Sequence, residues 1–475
     1  MNRTILNLLM LFISASVFAQ NGNEIICRLG FNYELSKADS WGKDLPVVKN
    51  ITPYTQAATS GLKVNDIIIE IDGVSTSSIT QAEIEDLFNL RGNNDIIVTV
   101  QNFNSPSKQI LLKKECKQAK AISESDLASA FSFYSLESTN NQAFACPYKT
   151  IADYTTNLSN YHSFAFTTID DANFELETAI NNTIKKELLS KGLVYDPDQP
   201  DIIIQTFYYF DKNPNFISVG SKNKNQKQYR FNPVTKSMEA FPFLPIESPE
   251  SEAEYLLQYG FRLIDRKSSQ TGQLKIIWEC ESNELLTKSM AISEYARTNT
   301  PLMLMQFPVI KYGRNPYYLA KSKAYNYTGL HYDINNLSEI VAVDKNSPAY
   351  NAGIRKGDIV EKINKTKMNH TAEEFSTAYK RFITETMPFR DPDTRFTDDN
   401  GFMRCMFWSE GFYPEIAKAF TKNEYLPAFS YLYKFAPYVD INGENSSNFV
   451  IKKGGSKQNI DITPEFRKQA TVELK

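Results

Sequence analysis

The chain is poor in histidine, with only three His among its 475 residues. None of them belongs to a His-Glu-x-x-His arrangement, so the sequence pattern of a zinc protease is missing. The Asp-Thr-Gly, Gly-x-Ser-x-Gly and phosphate-cradling glycine-loop patterns of other enzyme classes are missing as well. We therefore predict a non-enzymatic protein with no catalytic residues, no cofactor and no metal site. A protease or hydrolase, or a protease-associated subunit, with an unrecognised active site remains the alternative.

Charge of one sign and long apolar runs are also scarce. A net charge of −3 and a pI near 5.9, without a long Lys/Arg block, argue against a nucleic-acid partner. At the N-terminus, Arg3, an apolar run over residues 5–13 and the small-residue site Val17-Phe18-Ala19 predict a signal peptide over residues 1–19. No later segment approaches the roughly 20 apolar residues that a membrane span needs, so we expect a soluble mature chain.

Cysteine is limited to five residues, and an export context permits disulfides between them. The odd count leaves at least one thiol unpaired, and the spacing typical of metal ligands is missing. The cysteines are Cys27, Cys116, Cys146, Cys280 and Cys405.

A repeated segment defines the unit of architecture. The sequence ATSGLKVNDII at residues 58–68 recurs as YNAGIRKGDIV at residues 350–360, with the same spacing of Gly, aliphatic and Asp residues. Each copy predicts a short helix ended by Gly61 or Gly353, followed by a tight turn and an apolar strand. One fold unit therefore occurs twice.

The segments around each copy identify the unit. Arg28-Leu29-Gly30-Phe31 precedes the first copy, Gly329-Leu330-His331-Tyr332 precedes the second, and a helix follows each. This order resembles PDZ domains. The resemblance implies an α+β multidomain chain with two PDZ-like partly open β-barrels with flanking helices: a first PDZ-like domain at residues 24–116 and a second at residues 325–466.

The resemblance also implies a peptide-binding site. In PDZ domains a loop ending in Gly-hydrophobic turns backbone N–H groups toward a peptide's terminal carboxylate, and the following strand accepts the peptide as an added strand. Here the receiving strand is 31–35 and the facing helix is 81–88. Many PDZ domains begin that helix with a His that reads a hydroxyl group, whereas this chain has Gln81 and Ala372. The peptide-binding residues implied are Arg28, Leu29, Gly30, Phe31, Tyr33, Gln81, Glu85 and Phe88.

The PDZ resemblance also implies that two cysteines lie close to each other. Cys27 stands just before the first loop and Cys116 just after the last strand of the first PDZ-like domain, and those strands are neighbours in the PDZ fold. Either they form a disulfide or they are small buried apolar residues.

The second PDZ-like domain departs from the pattern in its loop. Its groove residues are Gly329, Leu330, His331 and Tyr332. His331 stands where the pattern has a Gly, and its side chain is bulky enough to block the backbone N–H groups that would bind a peptide carboxylate. The use of this groove therefore stays open.

A long insertion interrupts the second PDZ-like domain at about residues 384–447. The strands expected directly after the helix come only at residues 448–453 and 458–462. Within the insertion, residues 396–438 have roughly twice the 13% aromatic content of the chain. These aromatics are either the core of a small helical subdomain or an exposed surface that docks a partner or an apolar ligand.

Between the two PDZ-like domains, a polar connector at residues 117–157 leads into a central α/β domain at residues 158–312. Alternating residues 161–166 predict a strand, and Asp170-Asp171 begins a helix that ends at Gly192. Two helices are predicted between residues 283 and 305, the second beginning at Pro301. With strands at 200–205 and 274–279, this order resembles a domain of unknown function of exported bacterial lipoproteins, interrupted by a polar insertion at residues 211–270.

The leading hypothesis is an exported peptide- or protein-binding adaptor. The resemblances place it in the periplasm or cell envelope of a Gram-negative bacterium, or outside the cell. Its expected partner is a protein C-terminus or an extended segment, bound by β-strand addition.

Overall fold

The computed structural model describes most of the chain outside the N-terminal segment and the aromatic insertion. The predicted signal peptide and Cys405 lie outside the described residues, as do most of the insertion's aromatic residues. The described residues are 25–89, 95–118, 120–126, 139–169, 171–218, 228–309, 316–333, 335–364, 366–368, 372–390, 412–420, 422, 424 and 446–475.

The chain divides into two compact units. The central unit comprises residues 28–115, 143–319 and 471–475, and the connector unit comprises residues 1–27, 116–142 and 320–470. Residues 28–115 of the first PDZ-like domain and the central domain lie in the central unit, whereas residues 25–27 of β1 and 116–118 of β8 lie in the connector unit. The second PDZ-like domain and most of the predicted connector lie in the connector unit.

The first PDZ-like domain is a curved antiparallel sheet covered by short helices. Its strands are β1 (Ile25–Arg28), β2 (Phe31–Leu35), β3 (Pro46–Ile51), β4 (Ile67–Ile71), β5 (Val74–Ser75), β6 (Asp95–Gln101), β7 (Lys108–Lys113) and β8 (Glu115–Gln118). The main order is β2-β3-β4-β6-β7, with β5 on β4, and β1 pairs with β8. Its helices are α1 (Gln56–Thr59), α2 (Gln81–Asn89) and a 3-10 turn at Thr76–Ser78.

The repeated turn folds as predicted in this domain. Gly61 ends α1 with a φ of 88°, and Asn65 adopts a φ of 72°, both in the left-handed region. Asp66 then accepts a hydrogen bond from the backbone N–H of Lys63 at 2.8 Å, which closes the turn before β4. Ile68 and Ile71 of β4 are fully buried in the domain core.

Cys27 and Cys116 form a disulfide across the β1–β8 pair. The bond closes a loop with a sequence separation of 89 that contains the first PDZ-like domain. Of the two alternatives that the sequence left open, the structure therefore has the disulfide. Cys146 and Cys280 are free thiols.

The predicted connector contains strands. They are β9 (Ala121–Ser123), β10 (Thr139–Ala145) and β11 (Tyr148–Ala152), of which β11 pairs along its length with a strand of the central domain. The ordered central domain therefore begins about ten residues before the predicted boundary.

The central domain is one mixed sheet with helices. Its further strands are β12 (Ser163–Phe166), β13 (Val194–Tyr195), β14 (Ile202–Lys212), β15 (Gln228–Asn232), β16 (Ser237–Phe241), β17 (Tyr255–Asp265) and β18 (Ile276–Leu286). The sheet order is β11-β18-β17-β14-β12-β13, with β15 and β16 as a separate hairpin. The helices are α3 (Phe174–Lys191), α4 (Arg266–Gln270) and α5 (Ile292–Met303), with 3-10 turns at Leu158–Asn160, Asp171–Asn173, Glu250–Glu252 and Leu304–Gln306.

Two details of the central domain differ from the sequence prediction. Strand β17 lies inside the predicted polar insertion, yet its alternate residues are buried and it pairs with both β14 and β18. The predicted helix pair between residues 283 and 305 is instead the end of β18 and the single helix α5, which contains Pro301. Pro301 lies in the last turn of α5, where its missing N–H removes one i→i−4 hydrogen bond but only a few helical residues follow it.

An aromatic row joins the first PDZ-like domain to the central domain within the central unit. Trp41 from the β2–β3 loop contacts Phe103 with ring centroids 4.7 Å apart, and Phe103 stacks on Phe307 at 5.8 Å. Phe307 in turn contacts Trp278 of β18 at 5.5 Å. All four rings are fully buried, so this packing holds the two domains as one body.

The second PDZ-like domain repeats the first with an interruption. Its strands are β19 (Tyr317–Tyr327), β20 (Leu330–Asp333), β21 (Asn336–Val343), β22 (Ile359–Ile363), β23 (Thr366–Lys367), β24 (Ser447–Lys453), β25 (Ser456–Ile462) and β26 (Glu465–Leu474). The order is β25-β24-β22-β21-β20-β9, with β23 on β22, and a further sheet has the order β10-β19-β26. The helices are α6 (Pro348–Asn351), α7 (Ala372–Thr386) and α8 (Tyr413–Phe420), with a 3-10 turn at Met387–Phe389.

After the predicted insertion, strand β24 pairs with β22, and β25 pairs with β24. Strands β24 and β25 form a hairpin in which Gly454 and Gly455 both have positive φ. Within the described part of the insertion, α8 contacts α7, with Ile416 fully buried, and Phe389 stacks on Phe412 at 5.2 Å. Phe412 itself is exposed.

A buried ion pair anchors the β15–β16 hairpin of the central domain. Arg230 donates to both carboxylate oxygens of Glu284, at 2.5 and 3.1 Å, and Tyr295 donates to Glu284 at 3.0 Å. The side chains of Arg230 and Glu284 are only 2% and 4% exposed. Loss of one partner would therefore leave a buried charge without compensation.

We predict that Arg230→Met lowers the free energy of unfolding by about 3–5 kcal/mol, because it leaves the buried Glu284 charge unpaired. The double change Arg230→Met/Glu284→Leu should cost less, since it removes both charges. Urea unfolding of the full chain measures this, with Lys43→Met in the exposed Lys43–Asp39 pair as the control. Equal losses for Arg230→Met and the control variant would contradict the prediction.

Candidate functional site

The candidate site is the groove between β2 and α2 of the first PDZ-like domain. Strand β2 is the end strand of its sheet, and within the described residues it pairs with β3 alone. Helix α2 buries Ile84 and Phe88 against the domain core, which fixes the helix beside β2. The fold therefore places an open strand edge next to a helix, as the PDZ resemblance implies.

The loop that precedes β2 is fixed by Gly30. Its φ of 77° lies in the left-handed region, and its carbonyl accepts a hydrogen bond from the backbone N–H of Thr52 at 2.8 Å. A Cβ at this position would lie 2.5 Å from Oγ1 of Thr55, so no larger residue fits without movement. Of the predicted loop residues, Arg28 is exposed and Leu29 is half-buried.

Three aromatic rings form the apolar wall of the groove. Phe88 of α2 contacts Phe31 edge-on at 5.8 Å and Tyr33 at 4.9 Å between ring centroids. Burial, with the nearby negative charge of Glu85, raises the pKa of Tyr33. The wall therefore offers aromatic surface with a carboxylate beside it.

The exposed face of α2 has paired polar side chains. Gln81 donates a hydrogen bond from Nε2 to Oε1 of Glu85 at 2.9 Å, so these two predicted site residues interact with each other. Both are exposed. The first turn of α2 therefore presents an amide and a carboxylate where many PDZ domains present a His.

The second PDZ-like domain repeats this loop geometry. Gly329 has a φ of 88°, and its carbonyl accepts a hydrogen bond from the N–H of Asp344 at 2.9 Å. A Cβ at Gly329 would lie 2.2 Å from Cβ of Ser347, which stands before α6 as Thr55 stands before α1. The two loops are thus equivalent in conformation and in what packs behind them.

The edge of the second groove is covered by the chain itself. Strand β9 pairs antiparallel with β20, with Ser123 opposite His331 and Ala121 opposite Asp333. The next residue, Glu124, accepts hydrogen bonds from the backbone N–H groups of Thr328 at 2.7 Å and Gly329 at 3.0 Å, and from the hydroxyl group of Thr328. All of these residues belong to the connector unit.

Burial dominates the electrostatics of Glu124. Removal from water raises the pKa of Glu124 to about 7, against the opposing effects of its hydrogen bonds to Thr328 and Gly329 and of the charge of His331. His331 lies beside it and hydrogen-bonds Oδ1 of Asp344 through Nε2 at 2.8 Å. Burial lowers the pKa of His331, but Asp344 and Glu124 raise it overall.

The side chain of His331 therefore does not block the carboxylate-binding loop, an outcome that the sequence had left open. Its ring turns to Asp344, and Leu330 and Tyr332 are buried in the domain core. The carboxyl group of Glu124 occupies the start of the loop instead. Glu124 and Ile122 were not predicted as site residues, because both lie in the segment interpreted as a connector. The only sequence feature that could have indicated a strand there is the short pattern Ala121-Ile122-Ser123-Glu124.

The described part of the chain contains no group of three or more His, Cys, Asp or Glu residues placed to hold a metal ion. None of its helices has both the length and the apolarity that a membrane span requires.

We predict that the stability of the connector unit falls as the pH rises from about 4.5 to about 7. The raised pKa means that folded Glu124 holds a proton that unfolded Glu124 releases in this window, so the stabilisation is present at low pH and lost as the pH rises through the folded pKa. The loss attributable to Glu124 is about 3 kcal/mol. Denaturant unfolding between pH 4.5 and pH 8 measures it.

Glu124→Gln is the matched variant because it keeps the shape of the side chain and cannot titrate. Its stability should show a weaker pH dependence, limited to other groups. Identical pH profiles for the variant and the wild type would contradict the assignment. Other titratable groups around this site include His331, Asp344, Tyr325, Tyr327, Arg467, Lys117 and Asp126.

Comparison with known families agrees with this layout. PDZ domain families match residues 23–101 and residues 339–378, and a family described as "Domain of unknown function (DUF4136)" matches residues 148–309 between them. The suspected arrangement of two PDZ domains around an uncharacterised domain, and the α+β multidomain fold class, are thereby confirmed.

The chain is similar to solved structures. Among curated proteins, none matches this chain. PelC from Paraburkholderia phytofirmans is 11% identical over 35% of this chain and 95% of its own, and its TM-score of 0.16 carries no structural argument. The chain is 52% identical to a PDZ domain protein from Parabacteroides distasonis, covering 95% of this chain and 100% of that one, with a TM-score of 0.78. The chain therefore belongs to the PDZ domain protein family.

Proposed function

We propose that this chain is a non-enzymatic adaptor whose first PDZ-like domain binds extended or C-terminal peptides by strand addition on β2. The observation that carries the proposal is the open edge of β2 beside α2, which no other described strand covers. A strand edge presents a row of backbone donors and acceptors that an incoming peptide satisfies. Main-chain hydrogen bonds therefore supply the affinity, and we expect it in the micromolar range.

The loop at Gly30 supports recognition of a terminal carboxylate. Its positive φ gives the turn from which β2 begins, the conformation that orients backbone N–H groups toward an anion in a PDZ domain. The packing of Thr55 behind Gly30 holds this conformation in place. A free C-terminus therefore fits the loop better than an internal segment without a carboxylate.

The groove wall supports a preference for particular side chains. Tyr33 is half-buried, packs against the buried ring of Phe88 and offers aromatic surface to an apolar residue at the peptide end. Glu85 on the exposed face of α2 adds a negative charge that favours Lys or Arg further upstream in the peptide. We therefore expect ligands with an apolar last residue and a basic residue before it.

Export to the bacterial cell envelope is part of the proposal. The N-terminal signal pattern motivates it, and the Cys27–Cys116 disulfide supports it because such bonds persist in oxidising compartments. Fractionation of cells that produce the full chain tests this, and the chain should appear in the periplasmic or envelope fraction. A chain found only in the cytosol, with both thiols reduced, would contradict export.

We predict that Gly30→Ala lowers peptide affinity at least tenfold, because the added Cβ meets Thr55 and the loop must shift. Binding of the mature chain to a display library of random peptides with free C-termini measures this, followed by titration of the enriched peptides. Gly73→Ala is the matched control, since Gly73 has a similar φ of 80° but open space around it. The control should bind like the wild type.

A second variant pair keeps the test decisive if Gly30→Ala proves unstable. Tyr33→Ala removes a groove wall residue, whereas Asn32→Ala changes an exposed neighbour on the same strand. Only Tyr33→Ala should weaken binding. The proposal fails if the folded mature chain enriches no peptide, or if both variants bind as the wild type does.

A further inference from the structure

The second groove is filled in the manner of a bound PDZ peptide. Strand β9 adds to the edge of β20 as an antiparallel strand, which is the strand-addition mode by which this fold takes ligands. The direction is also that of a ligand, because residues 121 to 124 run toward the loop at Gly329. The chain's own segment therefore occupies the place of a peptide.

The end of this segment lies where a terminal carboxylate would be bound. Oε2 of Glu124 accepts from the N–H groups of Thr328 and Gly329, and Oε1 accepts from the hydroxyl group of Thr328. Two backbone donors and a hydroxyl converging on one carboxyl group form an anion-binding nest. An acidic side chain thus replaces the chain terminus, so an internal segment can fill the groove.

Further contacts fix the register of the segment. Ile122 packs against the hydrophobic core of the second PDZ-like domain, and Lys120 forms an ion pair with Asp333 at 3.1 Å. Ser123 and Asp126 hydrogen-bond each other in both directions, side chain to backbone, at 3.1 and 3.0 Å. This reciprocal cap turns the chain into a helical turn directly after the groove.

We propose that residues 121–124 are a built-in ligand of the second PDZ-like domain, and that the vacated groove binds in trans an extended segment of the type small-apolar-small-Glu. The site thus recognises an internal carboxylate in strand register. While the built-in ligand is in place, the groove is closed to other peptides. The inference concerns a different groove from the proposed function, so either can fail without the other.

The tether determines how strongly the groove is closed. A ligand attached to its own domain acts at an effective concentration that is set by the length and stiffness of the chain connecting the two. A free peptide with the same contacts must therefore exceed that concentration to displace half of it. Removal of the side-chain contacts of the segment should open the groove without altering β20.

The experiment uses a synthetic peptide of residues 117–126, blocked at both ends so that Glu124 supplies its nest-binding carboxylate. Fluorescence anisotropy measures its binding to the full mature chain. The double variant Ile122→Asp/Glu124→Lys, which cannot seat its own segment, should bind at least tenfold more tightly than the wild type. The same peptide with Glu replaced by Gln at the position of Glu124 should bind the double variant at least fivefold more weakly.

Three controls locate the effect. Glu247→Lys, a charge change at an exposed residue of the central domain, should bind the peptide as weakly as the wild type. In the double-variant background, Gly329→Val should abolish binding because its Cβ meets Ser347, whereas Gly30→Val should leave it unchanged. Circular dichroism and thermal unfolding establish that each variant is folded. If the double variant does not fold, Glu124→Ala replaces it, with an expected gain of at least threefold.

The inference is overturned by any of three results. The first is a folded, segment-free variant that binds the peptide no better than the wild type. The second is a Gln peptide that binds as well as the Glu peptide. The third is loss of binding in Gly30→Val rather than in Gly329→Val. The first two results concern the second groove alone and leave the proposed function intact, and the third would assign this peptide to the first groove.

Discussion

The hydrogen-bonding edge of a β-strand is the constraint on which the two PDZ-like domains depend. Each domain ends its sheet with the strand that follows the glycine loop, and such an edge must be covered, blocked or used. In the first domain β2 has β3 on one side and no described strand on the other. In the second domain β20 has β21 on one side and β9 on the other. One repeated unit therefore occurs in this chain both with an open edge and with an occupied one.

The loops that begin these strands work because a left-handed residue stands at the same place in each copy. Gly30 and Gly329 have φ values of 77° and 88°, and Thr55 and Ser347 pack where a side chain would otherwise be. The resulting turn presents backbone N–H groups, and in the second domain Glu124 already uses two of them. The buried aromatic row from Trp41 to Trp278 packs the first PDZ-like domain against the central sheet, so the domain that carries the first groove is held by these contacts.

Local signals in the sequence were sufficient for much of this architecture. The repeated Gly and Asp spacing predicted the turns at Gly61 and Gly353, and the apolar positions Ile84 and Phe88 predicted the facing helix, because these features depend on neighbours in the chain. The filled second groove was not predictable in this way, since Glu124 meets Thr328 across a separation of 204 residues. Strand β17 was not predicted because the polar residues on either side obscured its alternating pattern of buried residues. The segment of α5 was predicted as two helices that meet at Pro301, although buried residues lie on both sides of Pro301 in one helix.

Hydrogen–deuterium exchange of the mature chain, followed by mass spectrometry of peptides from β2 and β20, tests the difference between the two grooves most directly. Exchange reports how often each backbone hydrogen bond opens, so an uncovered edge exchanges rapidly and a covered one slowly. The account predicts fast exchange at the amides of Phe31–Leu35 that point away from β3, and protection of both edges of Leu330–Asp333 without any added ligand. Equal, rapid exchange on the outer edges of both strands would contradict the built-in ligand. Equal protection of both would contradict an open first groove.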